Sequence, residues 1–148
     1  MTSAANLEGN NGRYSISTDP ARLDFHAVHA YLTEAYWARG RAYETVVRAV
    51  QHSLCFGLYD GDAQIGFARV ITDYTLFSYL CDVYILDGHQ GQGLGVWLIR
   101  TVLEHPELQS VRRWTLATSD AHGFYARFGF AAMANTDKYM EMRRDAQS

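Results

Sequence analysis

Hydrophobic and polar positions change their period several times along the chain, so different segments predict different elements. Three short apolar runs rich in Val, Ile, Phe and Tyr, which are typical of buried strands, occupy residues 54–59, 63–72 and 76–86. From residue 24 to residue 39 the apolar side chains Phe25, Val28, Leu32 and Ala35 recur at the spacing of one helical face. The pattern therefore predicts an α+β protein with a central sheet.

The remaining elements follow from the same reasoning. Asp60-Gly61-Asp62 separates two of the apolar runs and predicts a β-hairpin. Further elements are predicted as strands at 14–18, 111–118, 130–133 and 138–142 and as helices at 43–52 and 121–128. Another predicted helix carries Leu94, Leu98 and Val102 on one face and is closed by Pro106. Residues 1–12 are small and polar, and they predict a disordered leader ahead of a single domain at residues 13–148.

One segment combines an apolar strand, a glycine-rich turn and an amphipathic helix, and it covers residues 83–99. Gly91, Gly93 and Gly95 alternate in the turn, where the backbone can bend and approach a ligand closely. The first turn of the following helix has N–H groups without intrahelical partners, and together with the helix dipole they favour an anion such as a phosphate. The spacing fits neither the P-loop pattern GxxxxGK[ST] nor the dinucleotide pattern GxGxxG.

Two motifs point to a known family. Gln90-x-x-Gly93-x-Gly95 is followed about thirty residues later by Ala121-x-x-x-Tyr125-x-x-x-Gly129-Phe130. In this order and at this distance they resemble the GNAT superfamily of N-acetyltransferases, and the resemblance extends from about Tyr14 to the end of the chain. It implies the layered α/β/α fold of these enzymes, with a mixed, mostly antiparallel sheet of six to seven strands and about four helices. It also implies acetyl-CoA as the cosubstrate.

The resemblance implies cosubstrate contacts from the central strand, the glycine loop and the later helix, at Val83, Tyr84, Ile85, Gln90, Gly91, Gln92, Gly93, Leu94, Gly95, Val96, Thr118, Ser119, Phe124 and Tyr125. Main-chain amides of the loop would hold the diphosphate, and the backbone of Val83 to Ile85 would pair with the pantetheine arm. Thr118 stands where many members carry Asn, so Ser119 and Asp120 are alternative sources of a polar contact.

The resemblance also implies the general acid, whereas the base is not identified by the motifs. Tyr125 occupies the family's general-acid position, where a phenol with an ordinary pKa of roughly 10 stays protonated and can donate to the departing thiolate. The alternative is an aromatic side chain packed on the core. Asp82, on the central strand, is the first candidate for the base, and a structural carboxylate is its alternative. Asp73 and Asp120 are weaker candidates for the base.

The helix pair before the sheet walls the acceptor pocket in this family, which implies substrate contacts from Tyr36, Trp37, Arg39, Tyr43 and Tyr84. A guanidinium matches a carboxylate, so Arg39 or Arg41 can bind a carboxylate of the acceptor. The alternative is a solvated helix end with aromatic packing. The expected reaction is direct transfer of acetyl to a primary amine of a small molecule or peptide, within a ternary complex. Alternatives are a non-catalytic acyl-CoA-binding module, and transfer of another acyl group or to another acceptor.

Composition narrows the partners. The net charge of −3 gives no basic field for nucleic acid and, with several aspartates, favours a cationic amine. No apolar run is long enough to span a membrane. Cys55 and Cys81 lack CxxC spacing and predict reduced thiols in a cytoplasmic protein. His26 and His29 have no matching ligand motif, so no metal site is predicted. Aromatic residues near the C-terminal strands leave room for a homodimer.

Overall fold

The computed structural model describes residues 8–144 of the 148-residue chain. The strands are β1 Glu8–Asn11, β2 Tyr14–Ser17, β3 Leu54–Asp60, β4 Ala63–Thr72, β5 Phe77–Ile85 and β6 Arg113–Thr115. The α-helices are α1 Phe25–Leu32, α2 Tyr43–Gln51, α3 Leu94–Leu103 and α4 His122–Ala126. Short 3-10 helices occupy Pro20–Arg22, Asp87–His89, Pro106–Leu108 and Thr136–Lys138.

The six strands form one sheet in the order β1-β2-β3-β4-β5-β6. Neighbouring strands are antiparallel up to β5, and β6 then pairs with β5 in parallel. The hairpin between β3 and β4 turns at Gly61, whose φ of 60° lies in the left-handed region that glycine adopts without strain. The sheet confirms the predicted mixed and mostly antiparallel arrangement, with six strands and four α-helices.

The sheet is covered on both faces within residues 8–116. On one face, the inward residues of α1 and α2 form a core with Cys55 of β3, Phe67 of β4 and Tyr84 of β5. On the other face, Leu94, Leu98, Ile99 and Val102 of α3 are buried, at the spacing of one helical face that the sequence predicted. The central strands are therefore buried on both faces, which explains their nearly continuous apolar sequences.

β5 is irregular next to its C-terminal end. Phe67 of β4 pairs with Tyr84, but Arg69 pairs with Cys81. Between these two pairs, β5 therefore contains one residue more than β4. This extra residue makes a β-bulge, and Asp82 within it has a φ of 54°. Aspartate is one of the few residues other than glycine that adopt this conformation repeatedly. The bulge bends the strand immediately before Val83 to Ile85.

Two predictions for the first part of the chain are corrected. Residues 8–11 form β1, paired with β2, rather than the end of a disordered leader, and the rest of the predicted leader, residues 1–7, lies outside the described residues. A turn at Gly12, with a φ of 63°, makes this hairpin possible. The first helix ends at Leu32 instead of Arg39. Residues 33–40 form successive turns instead, because tertiary contacts of this segment outweigh its local helical spacing.

The strands predicted for the last part of the chain are also corrected. β6 covers only Arg113–Thr115 instead of residues 111–118. Residues 130–133 and 138–142 are not strands; the latter begins inside the 3-10 helix Thr136–Lys138. Met140 is 97% exposed, so the apolar residues of this segment do not mark a buried strand face. Alternation alone does not form a strand, since a strand also needs a neighbour for its hydrogen bonds.

The contacts divide the chain into two compact units, residues 1–116 and residues 117–148. The first contains the sheet with α1, α2 and α3. The second contains α4 and the 3-10 helix that follows it. The prediction of a single domain stays a prediction. No helix in the described part of the chain has the length and apolar character needed to cross a membrane.

Candidate functional site

The glycine loop between β5 and α3 provides an open turn with main-chain donors. Gly91 and Gly93 have φ values of 81° and 77°, and a Cβ built on either would meet no atom within 4 Å. Gly93 is the N-cap of α3 and no side chain caps this helix. The N–H groups of Leu94, Gly95 and Val96 therefore have no partner within the helix. This combination is a cradle for an anionic group, open on the side where glycine lacks a side chain.

Side chains from two directions fix the loop. The Gln90 amide nitrogen donates to the carbonyl oxygen of Ile85 at 2.9 Å and to Asp87 Oδ1 at 3.3 Å. The Tyr14 hydroxyl, from β2, donates to Gln92 Oε1 at 3.3 Å and lies 3.3 Å from His89 Nδ1. The Gln90 amide nitrogen was predicted to contact the cosubstrate, but in this structure it donates to the end of β5. The loop is held in place while its glycine N–H side stays open.

A charged cluster, formed by Trp37, Arg41, Arg69 and Asp82, surrounds the bulge of β5. Trp37 Nε1 donates to Asp82 Oδ1 at 2.9 Å. Arg69 Nε and Arg41 Nη1 donate to Asp82 Oδ2 at 2.9 Å and 3.2 Å. The Asp82 side chain is 3% exposed, that of Arg69 12% and that of Arg41 25%. The carboxylate is therefore buried between two cations, and Trp37 and Arg41 anchor the segment after α1 to the sheet.

This environment argues against the base role predicted for Asp82. A base in amine acetylation must accept a proton, whereas the buried Asp82 carboxylate already accepts hydrogen bonds at both oxygens, from Trp37, Arg41 and Arg69. The alternative role for Asp82 was that of a structural carboxylate with backbone donors, and the donors that Asp82 has are side chains instead. Asp73, another candidate, accepts from the N–H groups of Thr75, Leu76 and Phe77, which lower its pKa. Both carboxylates therefore already have local hydrogen-bond partners.

Neutral groups surround the charged cluster. Burial raises the pKa of the Cys55 thiol to about 12 and that of the Cys81 thiol to about 11, although Arg69 acts in the opposite direction on both. Burial also raises the pKa of the Tyr79 hydroxyl, with smaller contributions from Cys81 and Asp82. These groups remain protonated at neutral pH. Within the described residues, Asp82 is the only carboxylate that forms an ion pair with Arg41 or Arg69.

The predicted acceptor residues separate into exposed and buried positions. Tyr36 and Trp37 are 54% and 39% exposed and pack edge to face against each other. Arg39 is exposed, and it is Arg41 that contacts Asp82 in the charged cluster. Tyr43 stacks on His26 and contacts His29 edge to face, so both histidines pack against an aromatic ring.

Tyr84 is buried, and its ring stacks on that of Tyr31 at 3.9 Å. Its hydroxyl has a raised pKa because of burial. This side chain belongs to the core, so the substrate contact predicted for it is corrected. Only its backbone, on the strand that leads into the glycine loop, lies where a cosubstrate contact was predicted.

The second unit carries the tyrosine motif on α4. Thr118 Oγ1 accepts from the N–H groups of Ala121 and Asp120 at 3.1 Å and 3.4 Å, so this threonine organises the turn that leads into α4. Phe124 and Tyr125 pack edge to face at 5.0 Å, and Tyr125 also contacts Phe130 at 6.0 Å. Ser119 is exposed. Gly129 follows α4 with a φ of 101°, in the left-handed region that glycine adopts without strain.

Arg69 and Tyr14 are missing from the residues that the sequence assigned to the site, and Arg41 was considered only as an alternative to Arg39. Arg69 gave a usable signal, because an arginine between Ala68 and Val70 in an apolar strand needs a buried counter-charge. Asp82 gave the same signal in β5. Arg69 and Asp82 meet because of the register between β4 and β5, and the sequence alone does not give that register. Tyr14 gave no signal, since it looks like any inward residue of a first strand.

A family model, a related sequence and a solved structure all indicate similarity to acetyltransferases. Residues 51–132 match a family model described as an acetyltransferase (GNAT) domain. A presumed acetyltransferase of Gibberella zeae is 37% identical over 132 residues, covering 74% of this chain and 73% of that protein. A crystal structure of a presumed GNAT acetyltransferase from Xanthomonas campestris superposes with a TM-score of 0.86 at 44% identity, covering 88% of this chain and 93% of that one.

A more distant crystal structure extends the likeness of fold. It is that of a presumed acetyltransferase from Clostridium acetobutylicum with acetyl-CoA. It superposes with a TM-score of 0.62 at 12% identity, covering 88% of this chain and 94% of that one. At this identity only the fold is shared.

Proposed function

The chain belongs to the GNAT family of acetyltransferases, as its two motifs predicted, and from this we propose that it transfers the acetyl group of acetyl-CoA to a primary amine of a small molecule or peptide. The family generally uses acetyl-CoA, which supplies an activated thioester carbonyl. The new N–C bond forms as the C–S bond breaks; the amine loses a proton and the departing thiolate gains one. Direct attack within a ternary complex needs no covalent enzyme intermediate.

The observation that carries the proposal is the open, uncapped glycine loop. Gly91 and Gly93 adopt positive φ and leave space where a Cβ would stand, and α3 begins there without a side-chain cap. A diphosphate has the charge and the size that these N–H groups suit. The residues present therefore fit the cosubstrate, with Gly91 to Val96 as the proposed diphosphate contacts.

The other proposed roles follow from the strand before the loop and from the second unit. The backbone of Val83 to Ile85, next to the bulge, is proposed to pair with the amide-bearing arm of the cosubstrate. Thr118, Ser119 and Phe124 stay proposed contacts, and Tyr125 is proposed as the donor to the thiolate. Asp82 and Asp73 already accept several hydrogen bonds, so water is proposed to take the proton of the amine, and Asp120 stays a weaker candidate for the base.

The test is amine-dependent release of free thiol. Purified protein is mixed with acetyl-CoA and a panel of primary amines, thiol is followed with a chromogenic reagent, and the acetylated product is identified by mass spectrometry. The proposal predicts release that needs both the protein and an amine and saturates with each. Binding of acetyl-CoA without turnover on any amine would instead favour the alternative of a non-catalytic acyl-CoA-binding module.

Replacing Gly93 by alanine tests the diphosphate cradle. Alanine at a φ of 77° is strained, and its methyl group would project into the open side of the loop. We expect acetyl-CoA to bind about tenfold more weakly, equivalent to about 1.4 kcal/mol, as measured by calorimetry. The protein should also lose about 1–2 kcal/mol of stability, the usual cost of the left-handed conformation.

Gly61→Ala is the matched control. Gly61 has a φ of 60° and an equally empty surrounding, but it lies in the hairpin between β3 and β4. It should lose similar stability and keep wild-type affinity for acetyl-CoA. Equal affinity losses in both variants would show that strain alone explains the result and would remove the cradle from the account.

A further inference from the structure

The charged cluster carries one more positive than negative charge. Two guanidinium groups contact a single carboxylate, that of Asp82. The neighbouring thiols of Cys55 and Cys81 do not supply a second negative charge, because burial keeps them protonated. A cation that is partly removed from water without a full counter-charge is costly, so a site of this kind favours an anionic ligand.

The excess charge is reachable from solvent at Arg41. Arg69 is nearly buried and uses Nε on Asp82 and Nη1 on Ser53 Oγ at 3.1 Å. Arg41 keeps 25% of its side chain exposed and contacts Asp82 through Nη1. Trp37, 39% exposed, borders the same carboxylate. Arg41 is thus the partly exposed cation of the cluster, and a guanidinium group presents planar donors that a carboxylate can bind.

The charged cluster lies next to the segment of β5 that is proposed to bind the cosubstrate. Asp82 directly precedes Val83 on β5, and Val83 to Ile85 is the segment proposed to pair with the cosubstrate. Ile85 lies three residues after Asp82 on β5, so the chain between them spans at most about 10 Å, and less where the bulge bends it. An acceptor held beside this segment would present its amine toward the thioester and its other end toward Arg41.

We infer that the acceptor is an amine that also carries a carboxylate, an amino acid or a compound of that kind, and that Arg41 binds its carboxylate. This inference rests on the proposed function and narrows its substrate class. It also replaces the cationic amine that net charge favoured, because an added ammonium group beside two guanidinium groups would be repelled. The overall charge of −3 does not describe the charge at this site.

The test compares carboxylates with neutral isosteres. L-amino acids, β-alanine and γ-aminobutyrate are each paired with the corresponding carboxamide, and binding to the protein saturated with coenzyme A is measured by calorimetry. Amine concentrations are corrected for the unprotonated fraction. The acid should bind at least tenfold more tightly than its carboxamide in at least one pair, and kcat/KM should show the same preference.

Variants at Arg41 locate the effect. Arg41→Gln should remove most of the preference for the acid by weakening acid binding at least fivefold, with little change for the carboxamide or for acetyl-CoA. Arg41→Lys keeps the charge and should recover part of the preference, which also covers the case in which Arg41→Gln folds poorly. Arg48→Gln, an exposed arginine of α2, should retain wild-type behaviour.

The outcomes separate this inference from the proposed function. Equal or tighter binding of the carboxamides, or no binding of any acid in the panel, would overturn the inference. Acid binding that depends on Arg41 but gives no thiol release would support the inference and contradict the proposed acetyl transfer. Turnover of neutral amines at least as fast as of acids would leave acetyl transfer in place and remove the carboxylate anchor.

Discussion

Replacing Asp82 by asparagine is expected to lower the free energy of unfolding by about 3–5 kcal/mol, the usual effect of removing one partner from a buried ion pair. The side chain is 3% exposed and accepts from Arg69, Arg41 and Trp37. Asparagine also adopts the left-handed conformation readily, so the backbone at φ 54° contributes little to the loss. The loss comes from Arg69, left nearly buried with no counter-charge. Urea unfolding followed by circular dichroism measures it.

Asp60→Asn provides the comparison, because Asp60 pairs with Arg13 at 2.8 Å near the surface, where the two side chains are 29% and 64% exposed. This exposed pair should contribute only about 0–1 kcal/mol. Asp82→Asn also decides between the two roles considered for this residue. A variant that keeps its stability within about 1 kcal/mol yet loses turnover would restore Asp82 as the base and contradict the structural role given to it here.

Replacing Tyr125 by phenylalanine is expected to lower kcat by about 100-fold, near the lower end of the usual contribution from a positioned general acid. The phenol is the group proposed to protonate the departing thiolate, and phenylalanine keeps the ring that packs against Phe124 and Phe130. Stability should therefore change little. Steady-state assays at saturating acetyl-CoA and amine measure kcat, and the KM for acetyl-CoA should stay within about threefold of wild type, since the proposed role is confined to the transition state.

Tyr139→Phe removes a hydroxyl from the same unit without touching the proposed machinery. Tyr139 is 42% exposed and Lys138 lies over its ring, so kcat should remain at the wild-type value. A kcat for Tyr125→Phe within threefold of wild type would exclude the acid role and leave Tyr125 as a packed aromatic of α4. Equal losses in both variants would indicate a general disturbance of this unit.

The elements with strong local signals were predictable. Asp60-Gly61 predicted the β3–β4 hairpin, because a glycine next to a polar residue between two apolar runs favours a tight turn. The positions Leu94, Leu98 and Val102 predicted the buried face of α3. The glycine loop was predictable for the same reason: the backbone conformations of Gly91 and Gly93 are ones that few other residues adopt.

The features that depend on pairing between distant segments were not predictable. The bulge at Asp82 exists because Arg69 pairs with Cys81 while Phe67 pairs with Tyr84, and no local pattern fixes that register. Arg41 joins Asp82 only because α1 ends at Leu32 and the chain turns back. The predicted strands at 130–133 and 138–142 failed for the converse reason: their apolar residues looked like strand faces, but a strand is defined by its partner.

The most direct test of the central claim is a calorimetric titration of the wild-type protein with acetyl-CoA. The account predicts saturable binding of one molecule per chain, with a dissociation constant in the range of typical enzyme substrates, about 1 μM to 1 mM. Gly93→Ala should weaken it and Gly61→Ala should leave it unchanged. A titration that shows no saturable heat at millimolar acetyl-CoA, from a protein that is folded by circular dichroism, would contradict the account.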